Sequence, residues 1–219
     1  MNNNNKVKVW DILVRVFHWS LLASFIVAYL TSEDENPWHI YSGYVVLGLI
    51  TFRVVWGFVG THHARFSDFL YSPSTVYAYL KSVISRHPRH YLGHNPAGGW
   101  MIMALLAGLF VISISGLKLY AIEEGKGPLA GDSALIGYAQ ADSGEDDEES
   151  EDDERGEGRR HDDGKKPGEE FWEELHEIST NVTLLLIALH IAGVIVSGRL
   201  HGENLVKAMI SGEKHRSEG

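Results

Sequence analysis

Residues 171–199 read FWEELHEISTNVTLLLIALHIAGVIVSGR, an apolar run that carries two histidines, His176 and His190, fourteen positions apart. On an α-helix, fourteen steps of about 100° return the second side chain to within about 40° of the first and carry it about 21 Å along the axis. Both imidazoles therefore face one way, at two depths. A helix of this length and composition can cross a hydrocarbon core of about 30 Å. Its ring nitrogens must then find partners, because an unsatisfied polar group in that medium costs about several kcal/mol. Two metal centres at different heights would satisfy both rings.

Three further runs share this character. Residues 12–31 carry one charge, Arg15, and residues 40–60 are apolar all round except for Arg53. Gly43, Gly48, Gly57 and Gly60 in the second run are poor helix formers in water but suit close packing between membrane helices. Residues 100–120, WMIMALLAGLFVISISGLKLY, contain no histidine. A cleaved signal peptide would have a shorter apolar centre and a small-residue cleavage site, whereas SEDENPW follows the first run directly. The expected architecture is all-α: one domain over residues 1–219, an integral membrane four-helix bundle with spans at about 12–31, 40–60, 100–120 and 171–199. Between the second and third spans, Ser72 before Pro73 reads as an N-cap and first-turn proline. The spacing of Val76, Tyr79, Leu80 and Val83 predicts a short amphipathic helix lying on the membrane surface. Asn95 before Pro96 repeats the cap and opens the third span.

The mean hydropathy of −0.10 and the net charge of −10 average unlike parts. Between residues 121 and 170 there are eighteen acidic against six basic residues, which leaves the rest of the chain mildly basic. Residues 121–168 therefore read as an acidic, low-complexity insert, a long disordered loop between helices 3 and 4. It serves either as a solvating tether or as a surface that steers a basic partner. No element carries a basic stripe, which argues against nucleic acid as a partner. The chain has no cysteine, which excludes disulfides, cysteine-ligated zinc, iron–sulfur clusters and covalent haem attachment through C-x-x-C-H. It has twelve histidines, the remaining abundant metal-capable residue. Lys6, Lys8 and Arg15 precede the first span, Arg65, Lys81, Arg86 and Arg89 lie between the second and third, and Arg199, Lys207, Lys214 and Arg216 follow the fourth. The positive-inside rule then places both termini in the cytoplasm and the acidic loop outside.

This topology turns the histidines into depths. His18 lies near the cytoplasmic side and His190 matches it, while His39 and His176 both lie near the outer side. Two imidazoles facing each other across about 4 Å fit a six-coordinate haem iron wedged between helices. Structural zinc usually asks for four protein ligands. With both axial positions filled, the natural task of such an iron is electron transfer, and Gly43 and Gly193 leave room for a flat macrocycle. Arg15 and Arg53 either pair with haem propionates or anchor the spans by snorkelling. His62, His63, His87, His90 and His94 read as solvated loop residues, with a metal or quinone-proton role left open.

The order V-W-D-x-x-x-R-x-x-H-W at residues 9–19, H-x-x-x-G-Y at 39–44, R-x-x-W-G-F at 53–58, G-H-N-P at 93–96 and the two histidines fourteen apart resembles the prokaryotic cytochrome b561 family, which includes the b-type cytochrome subunit of nickel–iron hydrogenases. The resemblance covers all four spans and leaves the acidic insert outside. It implies two non-covalent haems b, ligated by His18, His39, His176 and His190. It further implies electron transfer in a bacterial inner membrane between quinone and a partner on the outer face, such as a c-type cytochrome or an oxidoreductase subunit. Two other readings compete. One is a histidine-rich divalent-metal carrier or sensor, which internal repeats and intramembrane carboxylates would favour and which this chain lacks. The other is a haem-bearing anchor for a larger oxidoreductase.

Overall fold

The computed structural model describes residues 6–32, 36–85, 91, 93–131, 166 and 168–215. Helix α1 is Ile12–Leu30, α2 Pro37–Val59, α3 Phe66–Phe69, α4 Pro73–Ile84, α5 Pro96–Glu124, α6 Glu169–His201 and α7 Leu205–Ser211. Four of these, α1, α2, α5 and α6, are long and apolar enough to cross a membrane. Their outward sides carry exposed apolar residues such as Val16, Ile26, Val55, Phe110 and Leu185. Apolar faces of this extent in water would drive association, whereas lipid accepts them at no cost.

Short polar side chains set the helix starts. Asp11 Oδ1 accepts from the Val14 N–H at 2.8 Å, Asn36 Oδ1 from Trp38 at 3.1 Å with Pro37 following it, and Asn95 Oδ1 from Gly98 at 2.7 Å. Ser72 caps α4 as its sequence predicts. Each of these bonds satisfies a backbone donor that the first helical turn leaves without a partner. The two later spans run longer than their apolar stretches: α5 begins at Pro96 and continues to Glu124, and α6 extends from Glu169 to His201. Polar residues with good helix propensity prolong both helices past the membrane-length core. The ends of the 121–168 segment are thus helical or turn-like up to Gly131. The disorder expected of its acidic middle lies outside the described residues.

The chain divides into two compact units, Met1–Ser113 with Ser179–Gly219, and Ile114–Ile178. In the first, α1 and α2 pack along each other. Phe17, Val46, Ile50, Phe66, Phe69, Leu106 and Leu109 form its main buried cluster. A β-carbon on Gly57 would come within 2.2 Å of the Phe66 ring, so only glycine admits that ring against α2. In the second unit, the Lys166 ammonium donates to the Ile122 and Glu123 carbonyls at 2.6 and 2.8 Å, capping the end of α5 with positive charge.

The termini are not the simple polar tails that their composition suggests. Lys6–Lys8 pairs antiparallel with Glu213–His215, and Val9 and Trp10 pack on Ala208 of α7. Gly212 turns the chain at φ 84°, a conformation L-residues rarely adopt, and its carbonyl accepts from Val9 and Trp10. Lys214 is buried at 3.4 Å from Glu203. Strands of three residues without apolar alternation leave no periodic signal to read.

Asp11 joins this end of α1 to the end of α2. Burial works to raise its pKa, but hydrogen bonds from the Thr61 hydroxyl, the Val14 N–H and the Trp56 indole outweigh it and hold the carboxyl below its ordinary value of 3.8. A depressed carboxylate contributes stability that is fully present above the ordinary value and is lost as pH falls through the folded-state value. Asp11→Ala should cost about 1 kcal/mol near neutral pH. In detergent melting curves, the gap between wild type and variant should close on acidification below about pH 4.

Candidate functional site

His18 sits on the second turn of α1, half-buried. Its Nδ1 is buried with no hydrogen-bond partner, and its ring meets Trp19 edge-on at 5.3 Å. His190, half-buried on α6, is near enough for the two imidazoles to interact electrostatically. These two sequence-predicted residues are therefore neighbours, set among apolar side chains.

His39 lies in the first turn of α2, and its Nδ1 is 2.9 Å from the Ala28 carbonyl of α1. A carbonyl only accepts, so Nδ1 carries the proton and Nε2 presents its lone pair. His176 is fixed by a different device. Its Nδ1 is 3.0 Å from the Ser115 hydroxyl, and its ring packs 3.1 Å from where a β-carbon on Gly116 would stand. Ser115 is fully buried. Anchoring Nδ1 is how proteins orient an imidazole that ligates through Nε2, because it sets both tautomer and ring angle.

The two arginines separate clearly. The Nη2 of Arg15 donates to the Ile210 carbonyl, which ties α1 to the C-terminal helix. Arg53 does not snorkel: it is 3% exposed, its guanidinium stacks 5.0 Å from the Phe66 ring centroid and 5.8 Å from Phe69, and its Nη1 has no hydrogen-bond partner. A buried guanidinium with an unused N–H is able to take an anion.

His94 departs from the solvated role expected of it. Its ring lies between Trp10, at 4.4 Å, and Phe69, at 4.6 Å. His62 is exposed, 3.3 Å from Asp68, while His87 and His90 lie outside the described residues, as does the side chain of His63.

Several contributors have no clear mark in the sequence. Ser115 is one serine among apolar neighbours, and a small hydroxyl in a membrane helix is the signal that points to it. Thr183 lies seven residues from each of His176 and His190, on the same stripe of α6. It is fully buried against Gly108, and its hydroxyl has no partner. The Ala28 carbonyl has no side-chain signature at all.

The donor set fits a haem iron. His39 offers Nε2 by its locked tautomer, His18 carries a buried ring nitrogen with no other use, and a β-carbon on Gly43 or Gly193 would meet nothing within 4 Å. Among the described residues no three histidine, aspartate or glutamate side chains gather into a group able to hold a metal ion. Axial ligation of haem asks for only two imidazoles.

Four membrane-length helices, three of which carry histidines, define a multi-pass membrane protein. The chain belongs to the prokaryotic cytochrome b561 family, whose model matches residues 9–212. That membership implies haem b and is consistent with electron transfer within a membrane. Similar proteins include one from Azotobacter vinelandii named probable Ni/Fe-hydrogenase B-type cytochrome subunit, 28% identical over 162 residues, covering 60% of this chain and 66% of that protein. A protein of the same name from Bradyrhizobium diazoefficiens is 23% identical over 241 residues, covering 95% of this chain and 85% of that one. The match to the Azotobacter vinelandii protein thus spans just under two thirds of its length. No solved structure matches the chain.

Proposed function

We propose that this chain is a membrane electron carrier that holds two non-covalent haems b, one between His18 and His190 and one between His39 and His176. It exchanges electrons with quinone on one side and a redox protein on the other. The observation that carries the reading is the pair His18 and His190: two neighbouring half-buried imidazoles from different helices, one with a buried nitrogen that nothing else satisfies. Bound haem supplies a one-electron couple. The protein's part is to present imidazole lone pairs, at Nε2 in His39 and His176 where Nδ1 is anchored, to exclude water with apolar helix faces, and to set an electrostatic environment that tunes the couple. Of the two arginines, Arg53 is the better suited to hold a propionate: both carry a buried N–H without a partner, but the Nη2 of Arg15 is engaged by the Ile210 carbonyl whereas Arg53 has a terminal Nη1 to spare.

A cavity of about 300 Å³ opens beside α1, lined by Arg15, Trp19, Ser20, Met209 and Ile210 among others. Its apolar wall and few polar groups suit a quinone headgroup, and Trp19 also touches His18, which supports electron exchange at that end. The basic residues flanking the spans support cytoplasmic termini in a bacterial inner membrane. The names carried by the similar proteins support an oxidoreductase subunit as partner. A periplasmic c-type cytochrome is the other candidate for that place.

A visible spectrum of the purified membrane protein, with haem extracted and counted against protein, tests the core of this reading. Reduced low-spin bands and two haems per chain are expected. A colourless preparation overturns the haem assignment, and one haem per chain overturns the two-pair scheme. Ser115→Ala should retain both haems but loosen the outer one by about ten- to a hundredfold, as loss of an outer hydrogen bond does at other metal sites. Titrating haem into the apoprotein measures this.

A further inference from the structure

Helix α4 has three faces, and the fold accounts for two of them. Tyr79 is buried, its ring 5.7 Å from Tyr91 and its hydroxyl close to the Ser197 side chain of α6. That approach sets α4 beside the end of a membrane-length helix, two residues before Arg199 and seven after His190. At about 100–160° around α4 from Tyr79, Tyr77, Leu80 and Ile84 fall within about 60° of one another. They are 71%, 46% and 84% exposed. Lys81, Ser85 and Ala78 occupy the adjoining flank, which is polar or small. A helix with one packing face, one apolar face and one polar flank, fixed at the level where a span ends, has the geometry of a segment lying in the membrane interface. Tyrosine and lysine are the side chains that favour the boundary between headgroups and acyl chains.

We propose that α4 is an interfacial helix that lays Tyr77, Leu80 and Ile84 into the bilayer leaflet at the His190 end of the molecule, with Lys81 reaching the lipid phosphates. The occupant of this face is the lipid surface itself, because the face is apolar and exposed, carries a lysine on its flank, and belongs to a helix whose buried side meets the end of a membrane-length span. This inference rests on the four spans and is independent of the haem assignment.

The chain has no native cysteine, so single cysteines at 77, 80, 84, 78 and 85 can each carry one environment-sensitive fluorophore in the full-length protein. All five positions are exposed, so labelling disturbs no packing. In vesicles of phosphatidylethanolamine and phosphatidylglycerol, labels at 77, 80 and 84 should escape aqueous iodide and be quenched by a lipid carrying a shallow spin label. Labels at 78 and 85 should show the reverse. Equal iodide quenching at all five positions overturns the proposal. So does protection at 77, 80 and 84 that depends on protein concentration or on an added oxidoreductase subunit, since the face would then belong to a protein partner.

Discussion

His190→Ala should yield a protein that keeps one haem of two, with the retained signal belonging to the His39–His176 pair. On the proposed pairing, deleting the imidazole would leave His18 alone to hold the haem, and a haem held by one side chain is lost more readily than one held by two. Haem content per chain should fall by about half, and His18→Ala should give the same species. Potentiometric titration should then show a single one-electron step where the wild type, on the two-haem proposal, should show two. Added imidazole should restore part of the missing signal in both variants, which separates ligand loss from misfolding. Retention of both haems in His190→Ala would reject the pairing of His18 with His190, whatever the activity of the preparation.

The second large effect belongs to Arg53 and has opposite signs in the two states of the protein. Without haem, its Nη1 is buried and unsatisfied, and such a group costs about 1–3 kcal/mol. Arg53→Leu keeps much of the apolar stem, removes that penalty and should raise the apoprotein's melting temperature. With haem bound as proposed, the same change would delete a charge-assisted bond to a propionate worth about 1.5–3 kcal/mol, so affinity should fall by about ten- to a hundredfold. Haem with both propionates esterified provides the control: it should bind wild type and Arg53→Leu equally. Lysine cannot reproduce the stacked fork between Phe66 and Phe69 and should restore only part of the affinity. A Leu variant that binds ordinary haem as tightly as wild type would leave Arg53 a packing residue and nothing more.

The two arginines show how far a sequence can be read. Arg15 stands near the start of one apolar run and Arg53 toward the end of another, and hydropathy alone leaves propionate partner and snorkelling anchor equally open for each. What separates them is neighbours remote in the chain: the Ile210 carbonyl for Arg15, the Phe66 and Phe69 rings for Arg53. His94 teaches the same lesson, since the polar segment around it predicts solvent while Trp10 and Phe69 close on its ring.

The caps, by contrast, were legible because they are local. Asn95 and Ser72 act on N–H groups three residues away, and the prolines that follow them start a helix for reasons contained within one turn. The third and fourth helices overran their predicted ends because apolar length measures the hydrocarbon core, while helix hydrogen bonding continues into polar turns.

Sequence alone determined the membrane class, the number of spans and the stripe shared by His176 and His190, because burial in lipid imposes long apolar runs and the helix imposes a fixed angle per residue. Tertiary structure alone decided that Ala28 locks the tautomer of His39, that Ser115 holds His176, that Arg53 is enclosed with a donor to spare, and that the two termini pair. Each of these depends on contacts between residues from eleven to about two hundred positions apart, and no local propensity or periodicity encodes which remote atom will arrive.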